Sequence, residues 1–168
     1  SQPVEITAIT QKMAGGTNAF TRSRFLVPSL CGFEGWAIFA DGVDMLCRGD
    51  LAELWAFKDV VPERDSIRKD IWCVKHNYKS SFLKKYEGTE MEAVNADYDR
   101  KNWASLFLID CSSPFAHQWH PELIESTPLL HLLQLANFHD DRIGALPQEW
   151  NWLVGEYPQN PDAKLAHF

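Results

Sequence analysis

Apolar positions in this chain fall into short runs separated by polar, glycine- or proline-bearing stretches, and the length and spacing of those runs predict its elements. Residues 36–40, Trp-Ala-Ile-Phe-Ala, form an unbroken apolar run, the pattern of a strand buried on both faces, and predict a central strand of an α/β sheet. Asp41 and Asp44 follow, flanking Gly42-Val43. The chain can turn there and aim both acids at one point beyond the sheet edge, where open α/β folds bind ligands. Asp50, with Glu53 three residues later, predicts the N-cap of a helix running to about Phe57.

The remaining runs continue the alternation. Residues 4–10 are β-branched and roughly alternating, which predicts a strand, and the loop Gly15-Gly16 follows it. Phe20, Phe25, Leu26 and Leu30 stand near helical spacing, with Pro28 expected to kink or cut that helix. Residues 58–70 read as a solvated excursion, 71–74 and 103–109 as buried strands, 75–78 as the close of the first of these, and the polar stretch from there to 102 as loop. Residues 122–135 predict one or two helices broken at Pro128, and 143–146, 150–153 and 164–168 read as short strand-like pieces. Strands alternate with helices early and become irregular later, so the expected fold class is α/β with a mixed sheet in one domain.

Composition narrows the function classes. The 168 residues are 45% hydrophobic and carry a formal net charge of −7, enough apolar content for a sizeable core and a poor match to nucleic acid. Cys31, Cys47, Cys73 and Cys111 are dispersed without a C-x-x-C pair, so free thiols are expected rather than disulfides or zinc, and the cytoplasm is the expected compartment. No apolar stretch reaches the roughly 18 to 20 residues a membrane helix needs, and the N-terminal residues lack the order of a signal peptide.

The positions that can carry chemistry share one placement. Asp41 and Asp44 end one strand, Lys75 and His76 end another, and Asn102 precedes a third, so several converge on one sheet edge. Two hard carboxylates suit magnesium or manganese, and a histidine as third ligand favours manganese; His167 is the candidate, because residues 164–168 can return across the site. A plain Asp-Gly turn would also explain the two acids, and His167 alone could be structural.

Phe20-Thr-x-Ser-Arg24, Trp-Ala-Ile-Phe-Ala-Asp-Gly-Val-Asp with Asp-Leu-Ala-Glu-Leu-Trp55, Lys101-Asn-Trp-Ala-Ser-Leu-Phe-Leu-Ile-Asp110, Leu146-Pro-Gln-Glu-Trp-Asn151 and Lys164-Leu-Ala-His167 occur in that order. Over nearly its whole length the chain thereby resembles the bacterial and phage glycosyltransferases similar to family 8. The resemblance implies a GT-A-like fold with a mixed, mainly parallel sheet flanked by helices, a nucleotide-sugar donor such as a UDP-sugar, and transfer with retention. It implies Mn2+ or Mg2+ on Asp41, Asp44 and His167, and donor support from Arg24. Asp41, Lys75, Asn102 and Ser105 are the further donor contacts expected, and Asp140 and Asp141 the candidate catalytic carboxylates.

Two departures accompany the resemblance. The acidic motif is D-G-V-D, one residue longer than D-x-D. The chain also begins at what resembles the family's second strand and stops beside His167, so a domain incomplete at both ends is expected. A non-catalytic binding or assembly module on a truncated GT-A scaffold is the alternative function, and a metal-dependent phosphohydrolase a third. No P-loop, G-x-G-x-x-G or Ser-His-Asp order is present.

Overall fold

A computed structural model describes residues 5–15, 20–63, 66–85, 87–90 and 92–168. In chain order its strands are β1 (Trp36–Ala40), β2 (Met45–Cys47), β3 (Ile71–Cys73), β4 (Lys84–Lys85), β5 (Ala93–Val94), β6 (Leu106–Asp110), β7 (Ile143–Ala145), β8 (Trp152–Leu153) and β9 (Leu165–His167). Four short α-helices accompany them, α1 (Val27–Leu30), α2 (Leu51–Trp55), α3 (Pro121–Ser126) and α4 (Leu129–Leu133), joined by 3-10 turns. The strands form a four-stranded sheet in the order β1-β6-β3-β7, a three-stranded sheet in the order β2-β9-β8, and the hairpin β4-β5.

This is a mixed α/β architecture, but its pairing corrects the expectation of a mainly parallel sheet. Among the described residues β1–β6, β3–β6, β2–β9 and β4–β5 are antiparallel, and only β3–β7 and β8–β9 are parallel. The apolar run 36–40 is a strand, yet it is an edge strand that pairs antiparallel with β6, not a central parallel one. Its hydrophobicity reflects its faces. Trp36 and Ile38 pack on a core cluster with Leu54, Trp72 and Trp150, while Ala37 and Phe39 pack on a second cluster with Phe25, Phe107 and Trp119. Each face touches a cluster, but the burial on both faces expected of this run is only partial: Trp36 to Phe39 are half-buried and Ala40 is exposed, as suits a strand with no partner at one edge among the described residues.

Local chemistry sets several boundaries. Asp50 caps α2 as predicted, its side chain accepting from Ala52 N at 2.9 Å. The helix expected around Pro28 is divided, into a 3-10 turn over Ser23–Leu26 and α1, with Pro28 in the first turn of α1, where the missing N–H costs nothing. The expected strand 103–109 starts late: Asn102 is left-handed (φ 63°), Trp103–Ser105 form a 3-10 turn, and the ladder begins only at Leu106. Pro128 divides α3 from α4. The strand expected over 4–10 is not formed at residues 5–10, which are irregular and mostly exposed, with Ile9 touching the core; Val4 and Gly16 lie outside the described residues.

The core is built on β6, whose five residues are all buried, with β3 beside it equally buried. The ring of Trp72 lies so close over Gly144 that a Cβ there would meet ring atoms at 2.1 Å, so β7 approaches β3 at a position only glycine can occupy. Among the described residues no helix is long and apolar enough to cross a membrane.

Candidate functional site

The two sheets bring the predicted acids to the chain's last residues. β1 stops at Ala40, and the backbone N–H of Asp41 donates to Ser105 O at 2.9 Å, extending the β1–β6 ladder by one bond. The turn then feeds β2, and the register Met45↔His167 sets His167 beside Asp44; Phe168 N donates to Asp44 O at 2.8 Å. The convergence of residues far apart in the chain follows from that register.

Arg24, on the 3-10 turn Ser23–Leu26, holds Asp41. Its Nη1 lies 3.0 Å from Asp41 Oδ2 and donates to Ala104 O at 2.9 Å, while its Nε donates to Thr21 O at 3.0 Å. Its guanidinium also stands 5.5 Å from the Phe39 ring centre. Burial pushes the Asp41 carboxyl above its ordinary range; the Arg24 charge pulls it down, and the nearby Asp44 pushes it up. Asp44 behaves oppositely, because the neighbouring His167 side chain holds it below the ordinary range against a weaker effect of burial.

His167 is oriented by a buried polar network. The hydroxyl of Ser105 donates to Asn102 O at 2.8 Å, which leaves Ser105 Oγ to accept from Asn151 Nδ2 at 2.8 Å. Asn151, fully buried, therefore turns its Oδ1 to His167 Nδ1 at 3.0 Å. In neutral His167 the proton then resides on Nδ1 and the lone pair on Nε2, which faces Asp44 Oδ2 at 3.6 Å. Two lone-pair-bearing atoms facing one another across that gap fit a proton or a cation between them, and an imidazole held through its other nitrogen is the arrangement metal-binding histidines use. Asp41 is turned to Arg24 instead. Among the described residues no group of three His, Cys, Asp or Glu is arranged to hold a metal ion.

Arg24, Asp41, Asp44, Asn102, Ser105 and His167 all line one cavity of about 340 Å³, the size range of small-molecule sites. Lys84, Lys101, Tyr78 and Tyr98 line it as well, and sequence reasoning missed all of them because residues 75–102 read as the close of a strand and a loop. Lys101 is buried and reaches Asp97 at 3.1 Å; Asn102 Nδ2 donates to the Tyr78 hydroxyl at 2.7 Å. Asn151 was likewise missed as a site residue, its only signal being the motif that ends in Trp-Asn.

The other predicted residues lie elsewhere. Lys75 lines a separate cavity with His76, Gln148 and Tyr157, and its Nζ stands 5.6 Å over the Trp103 ring. Asp140 and Asp141 do not line the Asp41 cavity. They occupy a 3-10 turn feeding β7, where Asp140, largely exposed, pairs with Arg100, and Asp141 O accepts from Lys69 Nζ at 2.8 Å. His76 is buried, with Nδ1 2.9 Å from the Tyr157 hydroxyl, and burial holds its pKa down to about 4.

The chain is 34% identical over 167 residues to Protein CDI of Arabidopsis thaliana, a similarity that covers 92% of this chain and 60% of that protein. The chain thus spans about 60% of the length of the curated relative it matches. No protein-family model matches the chain, and no solved structure matches it.

Proposed function

We propose that this chain is the donor-binding part of a metal-dependent glycosyltransferase that uses a nucleotide sugar, with Arg24, Asp41, Asp44, Asn102, Ser105 and His167 around the donor. The observation that carries the reading is that these residues, chosen from separate stretches of sequence, line one cavity. Asp44 and the Nε2 of His167 would hold the cation, with Asp41 a further carboxylate lining the same cavity. A divalent cation, when bound, supplies positive charge against the charge developing on a leaving diphosphate.

The chain's own residues do the rest. Arg24 fixes Asp41 and brings a guanidinium to the cavity wall, a fork suited to phosphate oxygens. Asn151 keeps the His167 lone pair turned toward Asp44; Lys84 and Lys101 also line the cavity, paired with Glu92 at 2.7 Å and Asp97 at 3.1 Å. Retention of configuration and a UDP-sugar as donor are parts of this reading that rest on the resemblance to family 8. A cytoplasmic setting accords with four cysteines that are all free.

A non-catalytic binding module is the second reading, favoured by the engagement of Asp41 with Arg24 and by the lack of a three-ligand cluster among the described residues. Thermal shift with nucleoside diphosphates, with and without Mn2+, separates the two, since a ligand of the native state raises its melting temperature. The enzyme reading expects a manganese-dependent rise, lost in Asp44→Asn, and sugar transfer from a nucleotide-sugar donor. The module reading gains if nothing is transferred across a panel of nucleotide sugars.

A further inference from the structure

The cavity beside Lys75, of about 340 Å³, lies at a junction that the strand order creates. β3 and β7 are, among the described residues, the only parallel pair of the four-stranded sheet, and Leu146 N carries their ladder one bond further by donating to Cys73 O at 2.9 Å. Both strands therefore leave the sheet by their carboxyl ends at one place, where open α/β sheets bind ligands. Val74 and Leu146 give the cavity apolar surface, and Lys75, His76, Asn77 and Gln148 bring polar groups from the two exits. Tyr157 comes from the turn after β8, its N–H on Leu153 O at 3.0 Å and its ring 5.2 Å from that of Trp152.

Trp103 and Tyr157 fix the polar groups. The Trp103 ring centre stands 5.6 Å from the Lys75 ammonium, and its Nε1 donates to His76 O at 3.0 Å, so one indole holds both neighbours. His76 is buried, with Nδ1 2.9 Å from the Tyr157 hydroxyl and a buried Nε2 that has no hydrogen-bond partner among the described residues. A buried N–H without an acceptor is a rarer orphan than a lone pair without a donor, so the neutral ring keeps its proton on Nδ1 and donates it to the Tyr157 oxygen. The Tyr157 hydroxyl hydrogen is thereby free for an acceptor. Lys75 and Tyr157 both offer donors to the cavity, and none of the described residues lining it is acidic.

We propose that this cavity binds a small hydroxy acid, its carboxylate on the Lys75 ammonium and the Tyr157 hydroxyl, its alcohol groups on the amides of Asn77 and Gln148. One lysine matches one negative charge, whereas a doubly charged phosphate would leave its second charge facing neutral groups. Amides donate and accept, as partners of alcohols must. The apolar surface of Val74 and Leu146 takes the carbon skeleton. This goes beyond the donor reading and uses none of the residues around Asp41.

The test is calorimetric titration of the chain at constant ionic strength, without metal or nucleotide, with glucuronate as the probe and glucose and glucose 6-phosphate for comparison. Glucuronate is expected to bind about tenfold more tightly than either. Lys75→Met, at an exposed position, should abolish that preference, and Tyr157→Phe should weaken glucuronate binding about fivefold. Lys79→Met removes the same charge from an exposed position outside the cavity and should leave all three affinities unchanged. The inference is overturned if glucuronate shows no saturable binding, if glucose or glucose 6-phosphate binds as well as glucuronate, or if Lys75→Met and Lys79→Met lose affinity equally. Neither Asp44 nor manganese enters the experiment, so its failure leaves the donor reading standing.

Discussion

The two ends of the β1–β6 pair carry the same kinds of charged side chain and differ in what surrounds them. At one end Arg24 meets Asp41 at 3.0 Å; at the other Arg68 stands 3.6 Å from Asp110 and Arg142 3.5 Å from Asp70. Burial raises an aspartate at each end, Asp41 and Asp70. Yet Asp110 is occupied locally, its Oδ1 accepting from the backbone N–H of Ser112 at 3.1 Å, and Arg68, Asp70, Asp110 and Arg142 line neither cavity described above. The cavity end adds an imidazole whose lone pair is aimed at a second carboxylate. An acid beside an arginine is therefore common to a structural clamp and a candidate site, and the cavity with its oriented histidine separates them.

The largest effect that can break this comparison is on stability. Arg24→Ala strands the partly buried Asp41 carboxylate and the carbonyls of Thr21 and Ala104, and should cost about 3 kcal/mol. Arg68→Ala removes a side chain that is 58% exposed and should cost under about 1 kcal/mol. Urea midpoints of the two variants measure the difference; equal losses would make the ends equivalent.

Acidification should act through His76, which lines the separate cavity beside Lys75. His76, near His167, is held neutral by burial, its folded pKa about 4 against an ordinary 6.5. The unfolded chain binds the proton first, so the stability this group contributes is complete above pH 6.5 and is lost as pH falls toward 4, by about 3 kcal/mol. Raised Asp41 and Asp70 work the other way, gaining stability as pH falls toward 3.8. Denaturant melts at pH 7 and 4.5 should show the loss in the native chain and a much flatter response in His76→Gln.

Ligand binding sharpens the same contrast. Asp44→Asn should weaken manganese-linked nucleotide affinity about 30-fold, near 2 kcal/mol, while Asp110→Asn should leave it within about twofold. Calorimetric titration of both variants with a nucleoside diphosphate and Mn2+ decides it. The smallest effect belongs to Asp140→Ala, which loses an exposed ion pair with Arg100 and should change stability by under about 0.5 kcal/mol, with nucleotide affinity unchanged. A loss of transfer in that variant would restore Asp140 to the catalytic role expected of it from sequence.

Much of this arrangement was legible in residue order, and the illegible part has definite causes. The run 36–40 announced a strand, but hydrophobicity carries no record of which edge is paired, so its edge position, its antiparallel partner and the partial exposure that goes with them were hidden. Asp50, Pro128 and the turn after Ala40 acted through local chemistry and were readable. Lys101, Tyr78 and Asn151 were not, because each reaches the site through a contact set by the folded chain, as when Asn151 bridges Ser105 and His167. Asp140 and Asp141 failed to reach the cavity for the converse reason: adjacency of two acids says nothing of where their turn points.

The contact of Trp72 with Gly144 reaches beyond this one chain. Because any Cβ at position 144 would enter the indole, the two positions form a single steric unit divided between β3 and β7. Trp72 Nε1 makes no hydrogen bond among the described residues, so no polar link forbids a smaller apolar residue in its place. Substitution should therefore be permitted in pairs and penalised singly. Descendants of a common ancestor that keep this parallel pairing should retain both residues, or exchange both together for a smaller side chain on β3 and a larger one on β7.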